Sequence, residues 1–284
     1  MAGTAFILVL CSGFLHSIWN LYTKKSMNKK VFLWYCQLVA VIALLPWAII
    51  EWDNASINAT GWWIILASTV LHGLYTLLLA AAYSAGDLSQ VYPIMRGTSP
   101  LLVPLIGVTM LDESLSIYGW LGVATIVAGI LSLSDIKLLR RREINTGSWK
   151  APLLALAVGV CIASYIVVDK MALAYAPPVL LNEITSIGNL IALSWGAVAS
   201  GGMKQELVKN GRTMLVSGII APGGYLLFLF ALSLGPVAQL APMREIGTVF
   251  GSVMGIMILR EKQGARRIAS SLLITAGVIT LGFS

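Results

Sequence analysis

GDLSQVYPIMRGTSPLLVPLIGVTMLDE, residues 86–113, is the stretch that decides the fold of this chain. It is nearly all apolar over a membrane-spanning length, apart from one arginine, Arg96, near its middle. A charge within such a run is costly in a bilayer and is therefore a candidate for function. A second stretch, GPVAQLAPMREIGTVFGSVMGIMILRE at residues 235–261, repeats Gly, Gln and Pro at the same spacing and carries Glu245 in the matching place. The two copies predict two related halves built around one site.

Composition indicates a chain that lies almost wholly within a bilayer. Of the 284 residues, 58% are hydrophobic and only 11% are charged, and the mean hydropathy is +0.86. A soluble domain carries about 25% charged residues. The charges lie between apolar runs of roughly 17–25 residues, the length of helix that crosses a bilayer. We therefore predict an all-α membrane protein.

The apolar runs predict ten transmembrane helices, arranged as two inverted five-helix repeats. They lie at about residues 4–22, 31–50, 61–84, 89–111, 115–134, 151–170, 178–200, 213–233, 237–259 and 266–284. The first repeat is predicted to occupy residues 1–134 and the second, inverted repeat residues 151–284. Residues 135–150 form a basic linker on the cytoplasmic side.

The distribution of positive charge predicts the orientation. Sixteen of the 19 lysines and arginines lie in loops that follow odd-numbered spans, Lys170 lies on the other side, and Arg96 and Arg244 lie within spans. Positively charged loops stay in the cytoplasm. Both termini are therefore expected outside, in a multi-pass protein of the plasma membrane, with the bacterial inner membrane favoured. Five helices per half require the second half to be inserted upside down, which is typical of alternating-access transporters.

Three stretches of the sequence resemble the drug/metabolite transporter superfamily, in particular its EamA-type members. They are LHSIWNLYTKK (15–25), AAYSAGDLSQVYPIMRGTSPLLVPLIG (81–107) and LSLGPVAQLAPMREIGTVFGSVMGIMILREK (232–262). The resemblance implies a basket-like bundle with a central cavity lined by the first, third, fourth, sixth, eighth and ninth spans. It also implies a transporter that exports amino acids and other metabolites, or carries nucleotide-sugars and sugar phosphates.

Charged and aromatic residues within the spans are the candidates for substrate binding. Arg96 lies about 10 Å from the inner end of its span, at ~1.5 Å per residue, and Arg244 and Glu245 lie similarly far from the outer end of theirs. The other candidates are Tyr75, Tyr92, Tyr165, Tyr225, Trp19 and Asn20. Arg96 and Glu245 are equivalent positions of opposite sign in the two repeats, so we expect them to approach each other. The alternative is a structural ion pair, or arginine side chains that snorkel to an interface.

Proton coupling and hinge motion have separate candidates. His16 and His72 could carry protons because the pKa of histidine lies near neutrality, although a helix carbonyl could equally satisfy a lone histidine. Glu183 is a further proton-coupling candidate, with an interfacial position as the alternative. Pro93 and Pro242 are candidate hinges because proline interrupts helical hydrogen bonding, and a kink for packing alone is the alternative.

The sequence favours a transporter over an enzyme. It contains neither a phosphate-binding loop nor an HExxH zinc motif, so we predict no catalytic residues, metal or cofactor. The favoured cargo is an amino-acid-like zwitterion, and the resemblance to EamA-type members favours export as the direction. The alternatives are an anionic solute such as a sugar phosphate or nucleotide-sugar, or a lipid-linked flippase. The expected partners are a small-molecule substrate and membrane lipid, without nucleic acid, and the chain is expected as a monomer or homodimer.

Overall fold

Eleven helical segments account for the predicted spans in the computed structural model, which describes residues 2–53, 55, 57–85, 88–133, 149–259 and 265–284. They are α1 (Ala2–Lys25), α2 (Lys29–Trp52), α3 (Ala59–Ala85), α4 (Leu88–Met110), α5 (Ile117–Leu133), α6 (Lys150–Ala172), α7 (Pro178–Ser200), α8 (Met203–Leu234), α9 (Val237–Met243), α10 (Ile246–Leu259) and α11 (Ala265–Gly282). The all-α architecture is therefore confirmed over this part of the chain. The linker at 135–150 lies almost entirely outside the described residues.

Length and composition make many of these helices suitable for a bilayer. Five stretches among the described residues are long and apolar enough to cross a membrane: 3–23, 29–52, 59–79, 150–172 and 203–234. Shorter apolar helices lie at 94–110, 117–132 and 268–282. Helix α8 begins about ten residues before its predicted start at 213. The segment 203–212 is rich in good helix formers, but it is too polar to be recognised as part of a span.

The helices form two compact units, and each unit draws helices from both sequence repeats. The first unit comprises Met1–Gly73 and Val168–Gly235. Within it α1 packs against α8, and α2 packs against α7 and α8. The second unit comprises Leu74–Val167 and Pro236–Ser284, and within it α5 packs against α11 while α4 packs against α9. Helices α3 and α6 contribute one part to each unit.

Glycines allow close helix contacts in both units. In the first, a Cβ added to Gly218 of α8 would lie 2.5 Å from Cβ of Val39 on α2. In the second, a Cβ on Gly122 of α5 would lie 2.9 Å from the carbonyl oxygen of Gly277 on α11. Small residues at these positions let the backbones approach, which is the usual way that helices pack tightly within a bilayer.

The ninth span differs from the sequence prediction of one helix over 237–259. The structure divides it into α9 and α10, and Arg244 and Glu245 lie in the turn between them. The backbone there follows a tighter pattern of bonds to the third preceding residue: Arg244 N to Ala241 O is 3.2 Å, and Glu245 N to Pro242 O is 3.1 Å. Pro242 lies inside α9, two residues before Arg244. Short 3₁₀-type turns of this kind within a longer helix are often found at hinges.

Candidate functional site

An ion pair between α4 and the turn after α9 is the centre of the polar residues in the second unit. Nη1 of Arg96 donates a hydrogen bond to Oε1 of Glu245 at 3.3 Å. The Glu245 side chain is 9% exposed and that of Arg96 is 23% exposed. Thr248, one turn further along, donates to the other carboxylate oxygen at 3.3 Å. The expected approach of Arg96 and Glu245 is therefore confirmed.

Three tyrosines of the second unit accompany this pair. The guanidinium carbon of Arg96 lies 5.7 Å from the ring centroid of Tyr92, within the range of a cation–π contact. Tyr75 and Tyr165 meet edge to face with their ring centroids 5.7 Å apart. Tyr75 also lies close enough to Arg96 and Arg244 for both positive charges to act on its hydroxyl group. Aromatic rings, a positive charge and a negative charge are therefore all present in this part of the second unit.

Glu113 fixes the start of α9, which leads to the ion pair. Its two carboxylate oxygens accept hydrogen bonds from the backbone N–H groups of Val237 and Ala238, each at 2.8 Å. Negative charge is favourable at a helix N-terminus because the first N–H groups have no partners within the helix. Gly107 leaves room for this carboxylate, since a Cβ there would lie 2.9 Å from Oε2 of Glu113. Glu113 is therefore a positioning residue for the turn that carries Glu245.

A second polar cluster lies in the first unit and is centred on Asp169 of α6. The Asp169 side chain is fully buried. One carboxylate oxygen accepts a hydrogen bond from the hydroxyl of Ser68. The other accepts one from the hydroxyl of Tyr225 and lies 3.1 Å from Nε2 of His72. The His72 ring also meets that of Tyr225 edge to face, with centroids 5.4 Å apart.

Lys170, the neighbour of Asp169, has a separate structural contact. Its Nζ donates to the carbonyl oxygens of Leu232 at 2.6 Å and Gly235 at 2.8 Å, at the end of α8. A cation is favourable there because the last carbonyl groups of a helix have no partners within the helix. Lys170 therefore stabilises the C-terminus of α8.

The other predicted site residues have varied surroundings. In α1, the rings of His16 and Trp19 have centroids 5.4 Å apart. Asn20, beside them in sequence, is exposed. Among the residues that the structure describes, no hydrogen-bond partner is found for the buried indole N–H of Trp19. Within those same residues, no group of three or more His, Cys, Asp or Glu side chains is placed to hold a metal ion.

Glu183 and the two candidate hinge prolines have distinct outcomes. Glu183 of α7 is 2% exposed, and neither carboxylate oxygen has a hydrogen-bond partner within the described part of the chain. Pro242 is buried immediately before the break in the ninth span. Pro93 lies in α4, which runs without interruption, and its side chain is outside the described residues.

Asp169 and Ser68 are not among the site residues predicted from the sequence, whereas their partners His72 and Tyr225 are. The available signal was the single acid in YIVVDKMALAY, residues 165–175. Asp169 stands beside Lys170 at the predicted end of the sixth span, so the two resemble an interfacial charge pair. The structure shows instead that α6 continues to Ala172 and that Asp169 is buried.

Buried charges within apolar helices of membrane-spanning length, in a sequence of two matched halves, are typical of multi-pass membrane transporters built from inverted repeats. The comparisons with known proteins agree with this class. The chain belongs to the EamA-like transporter family, whose sequence pattern matches residues 3–134 and again residues 149–283. The family repeat thus occurs twice, as the matched halves of the sequence predict.

The individual relatives say little about which solute is transported. An uncharacterized transporter of a Sinorhizobium species is 35% identical over 98 residues, covering 34% of this chain and 69% of its own length. A Listeria monocytogenes protein named for sugar uptake is 23% identical over 211 residues, or 71% of each chain. One crystal structure matches 98% of this chain and 96% of its own, with a TM-score of 0.75 at 14% identity. That last likeness shows the fold alone.

Proposed function

We propose that the protein carries an amino-acid-like zwitterion across the plasma membrane by alternating access, with Arg96 and Glu245 as the charged ends of its binding site. The observation that carries the proposal is their ion pair, which joins equivalent positions of opposite sign in the two repeats at 3.3 Å. The family supports transport as such. The choice of cargo rests on the charges.

The charge balance of the site favours a zwitterion as the cargo. A buried charge without a counter-charge is costly, and removing one partner of a buried pair leaves the other uncompensated. A zwitterion can separate the pair without this cost, because its carboxylate replaces Glu245 at Arg96 while its ammonium replaces Arg96 at Glu245. The site then has the same net charge empty and occupied. Tyr75, Tyr92 and Tyr165 add ring surfaces for the rest of the solute.

The broken ninth span supplies a means of exchanging these partners. Glu245 lies in a short turn after Pro242. Rotation of the backbone in that turn moves the Glu245 carboxylate while α10 stays helical. In our proposal Pro242 acts as the hinge and Pro93 occupies the equivalent position in α4. The distribution of positive charge supports outward-facing termini in a bacterial inner membrane. The resemblance to EamA-type members supports export.

A neutral sugar is the second candidate cargo. The relative from Listeria that is named for sugar uptake favours it, and tyrosine rings beside a charged pair also suit a sugar. An anionic solute such as glucose 6-phosphate is a third arm of the test, because Arg244 adds a second positive charge beside Glu245.

Transport by purified protein in proteoliposomes tests the proposal. Vesicles loaded with unlabelled solute are placed in a trace of labelled solute, and counterflow is measured for a pool of the twenty standard amino acids, for D-glucose and for glucose 6-phosphate. We expect counterflow of the amino-acid pool. Deconvolution of the pool then identifies the preferred side chain.

Matched variants assign the flux to the site. Arg96→Met and Glu245→Gln should each lower counterflow of the amino-acid pool by at least about tenfold, equivalent to ~1.4 kcal/mol of lost binding. Arg212→Met makes the same chemical change at an exposed position of α8 and should leave it unchanged. If only glucose or only glucose 6-phosphate is transported, the cargo is that solute and not a zwitterion. Absence of flux for all three would sink the proposal.

A further inference from the structure

The cluster around Asp169 has no part in the binding site proposed above. It lies wholly in the first unit, with Asp169 from α6, Ser68 and His72 from α3, and Tyr225 from α8. Two hydroxyl groups and an imidazole converge on a fully buried carboxylate. Burying such a group costs stability, which argues against a purely structural role. Residues of this kind within membrane helices commonly belong to proton or ion pathways.

The net charge of the cluster shows what it must hold. With neutral His72, an ionised Asp169 leaves the cluster with one net negative charge, on a carboxylate that is itself fully buried. One added proton on the imidazole makes the cluster an ion pair with no net charge. Burial strongly penalises uncompensated charge, and a cluster that can hold one proton without net charge is suited to binding and releasing one.

The hydrogen bonds indicate where that proton lies. The hydroxyl groups of Ser68 and Tyr225 both direct their hydrogens at the carboxylate, and such donors favour its ionised form. Nε2 of His72, 3.1 Å from the carboxylate, is the remaining position in the cluster for an added proton. Uptake forms one N–H bond on the imidazole, and release to water breaks the same bond.

Other titratable side chains on the surrounding helices include Lys170, His16 and Glu183. On α6, Lys170 is held by carbonyl oxygens at the end of α8. On α1, which packs against α8, His16 lies against Trp19. On α7, which also packs against α8, Glu183 is buried next to Asn182, whose amide binds the carbonyl oxygen of Pro222.

The cluster exists in one orientation only. With the offset of 149 residues that relates Pro93 to Pro242, the equivalent of Ser68 is Ser217, but the equivalent of His72 is Ala221. The inverted repeat therefore supplies no second imidazole.

We propose that His72 and Asp169, with Ser68 and Tyr225 as hydroxyl donors, form the proton-coupling site of the transporter. The site binds one proton from water in one access state and releases it in the other, so that the solute moves against a proton. The coupling claim rests on the proposed function, whereas the proton-holding claim can be measured without any solute.

Histidine NMR tests the proton-holding claim directly. The chain has only two histidines, so the spectrum of ¹⁵N-histidine-labelled protein in nanodiscs contains two imidazoles, and the His72→Gln variant identifies which belongs to His72. At pH 7 we expect His72 to give the signature of an imidazolium, and that of a neutral ring when Asp169 is replaced by Asn. A neutral His72 in the unsubstituted protein, or an imidazolium in both proteins, would overturn the assignment.

Transport tests the coupling claim. With the amino-acid pool as probe, an imposed gradient of about one pH unit should drive about tenfold accumulation by one-for-one exchange of proton and solute. Asp169→Asn should abolish that accumulation but retain counterflow, which needs no net movement of protons. Asp169→Glu, which keeps a carboxylate, should restore part of the accumulation and guards against a folding defect. Asp53→Asn makes the same change at an exposed acid and should behave as the unsubstituted protein.

The outcomes separate the two proposals. Counterflow without any response to the pH gradient would overturn proton coupling and leave the proposed transport intact. Loss of driven accumulation on replacing sodium by choline, or in Glu183→Gln but not Asp169→Asn, would also overturn it. If the unsubstituted protein exchanges no solute, the proposed function fails, and the proton site is then decided by the histidine spectrum.

Discussion

Glu245→Gln is the substitution whose energetic effect follows most directly from the structure. It keeps the shape of the side chain and removes the charge that balances Arg96. At their separation of 3.3 Å, two unit charges attract by about 5 kcal/mol at an effective dielectric constant of ~20. Removing one member of a buried pair typically costs about 3–5 kcal/mol. Because the Arg96 side chain is 23% exposed, we expect the lower end, about 3 kcal/mol.

Replacing both partners should cost far less than replacing either one. In Arg96→Met with Glu245→Gln, neither charge remains to be compensated, and neutral replacements of a buried pair are often tolerated well. We therefore expect the two substitutions to be non-additive by at least about 2 kcal/mol, which is within the range found for residues in direct contact.

Thermal unfolding in detergent, followed by intrinsic fluorescence, measures these differences. With about 2–4 °C of Tm per kcal/mol for a chain of this order of size, Glu245→Gln should lower Tm by roughly 6–12 °C, and the double variant should recover most of the loss. If the double variant loses the sum of the single losses to within about 0.5 kcal/mol, the two side chains are not coupled and our account of the pair is wrong.

Three further substitutions test the packing around the two sites, all by the same unfolding measurement. Glu113→Gln weakens two charge-assisted bonds at the start of α9 and should cost about 1.5–3 kcal/mol; an unchanged Tm would show that the carboxylate does not hold α9. Lys170→Met leaves two carbonyl groups at the end of α8 without their donor and should cost about 1–3 kcal/mol, and a loss under half of that would contradict the capping role. Gly218→Ala places a Cβ 2.5 Å from that of Val39 and should cost about 1–3 kcal/mol, whereas Gly3→Ala, with nothing within 4 Å, should have no comparable effect.

The pairing of Arg96 with Glu245 could be predicted because the symmetry of the repeat relates the two positions. In an inverted repeat, equivalent positions are related by a pseudo-two-fold axis, and positions near that axis meet their counterparts. The spacing of Gly, Gln and Pro in each half identifies equivalent residues, and opposite charges at such positions then predict a pair. Neither side chain needed to be placed individually.

The break in the ninth span could not be predicted from proline alone. Pro242 precedes a break, yet its equivalent Pro93 lies in α4, which is continuous from Leu88 to Met110. The local sequence therefore permits either outcome. Tertiary contacts override local preference in such cases, and they lie outside any local pattern.

Asp169 shows a different limit of sequence analysis. The depth of a charge in a bilayer depends on where its helix begins and ends, and such boundaries are uncertain by ~2–4 residues. For an acid beside Lys170, that uncertainty separates the interface from the interior. The hydroxyl donors on α3 and α8 are distant in sequence, so only the folded chain reveals that they converge on this carboxylate.

The sharing of both units between the two repeats affects the order in which the protein can fold. Helix α2 emerges from the ribosome roughly 150 residues before its partner α7, an interval of about 8–30 s at ~5–20 residues per second. During that time the first half is inserted in the membrane without the helices it will pack against. Lipid can occupy their place because each helix satisfies its own backbone hydrogen bonds. Both compact units are therefore completed only after synthesis has passed into the second half.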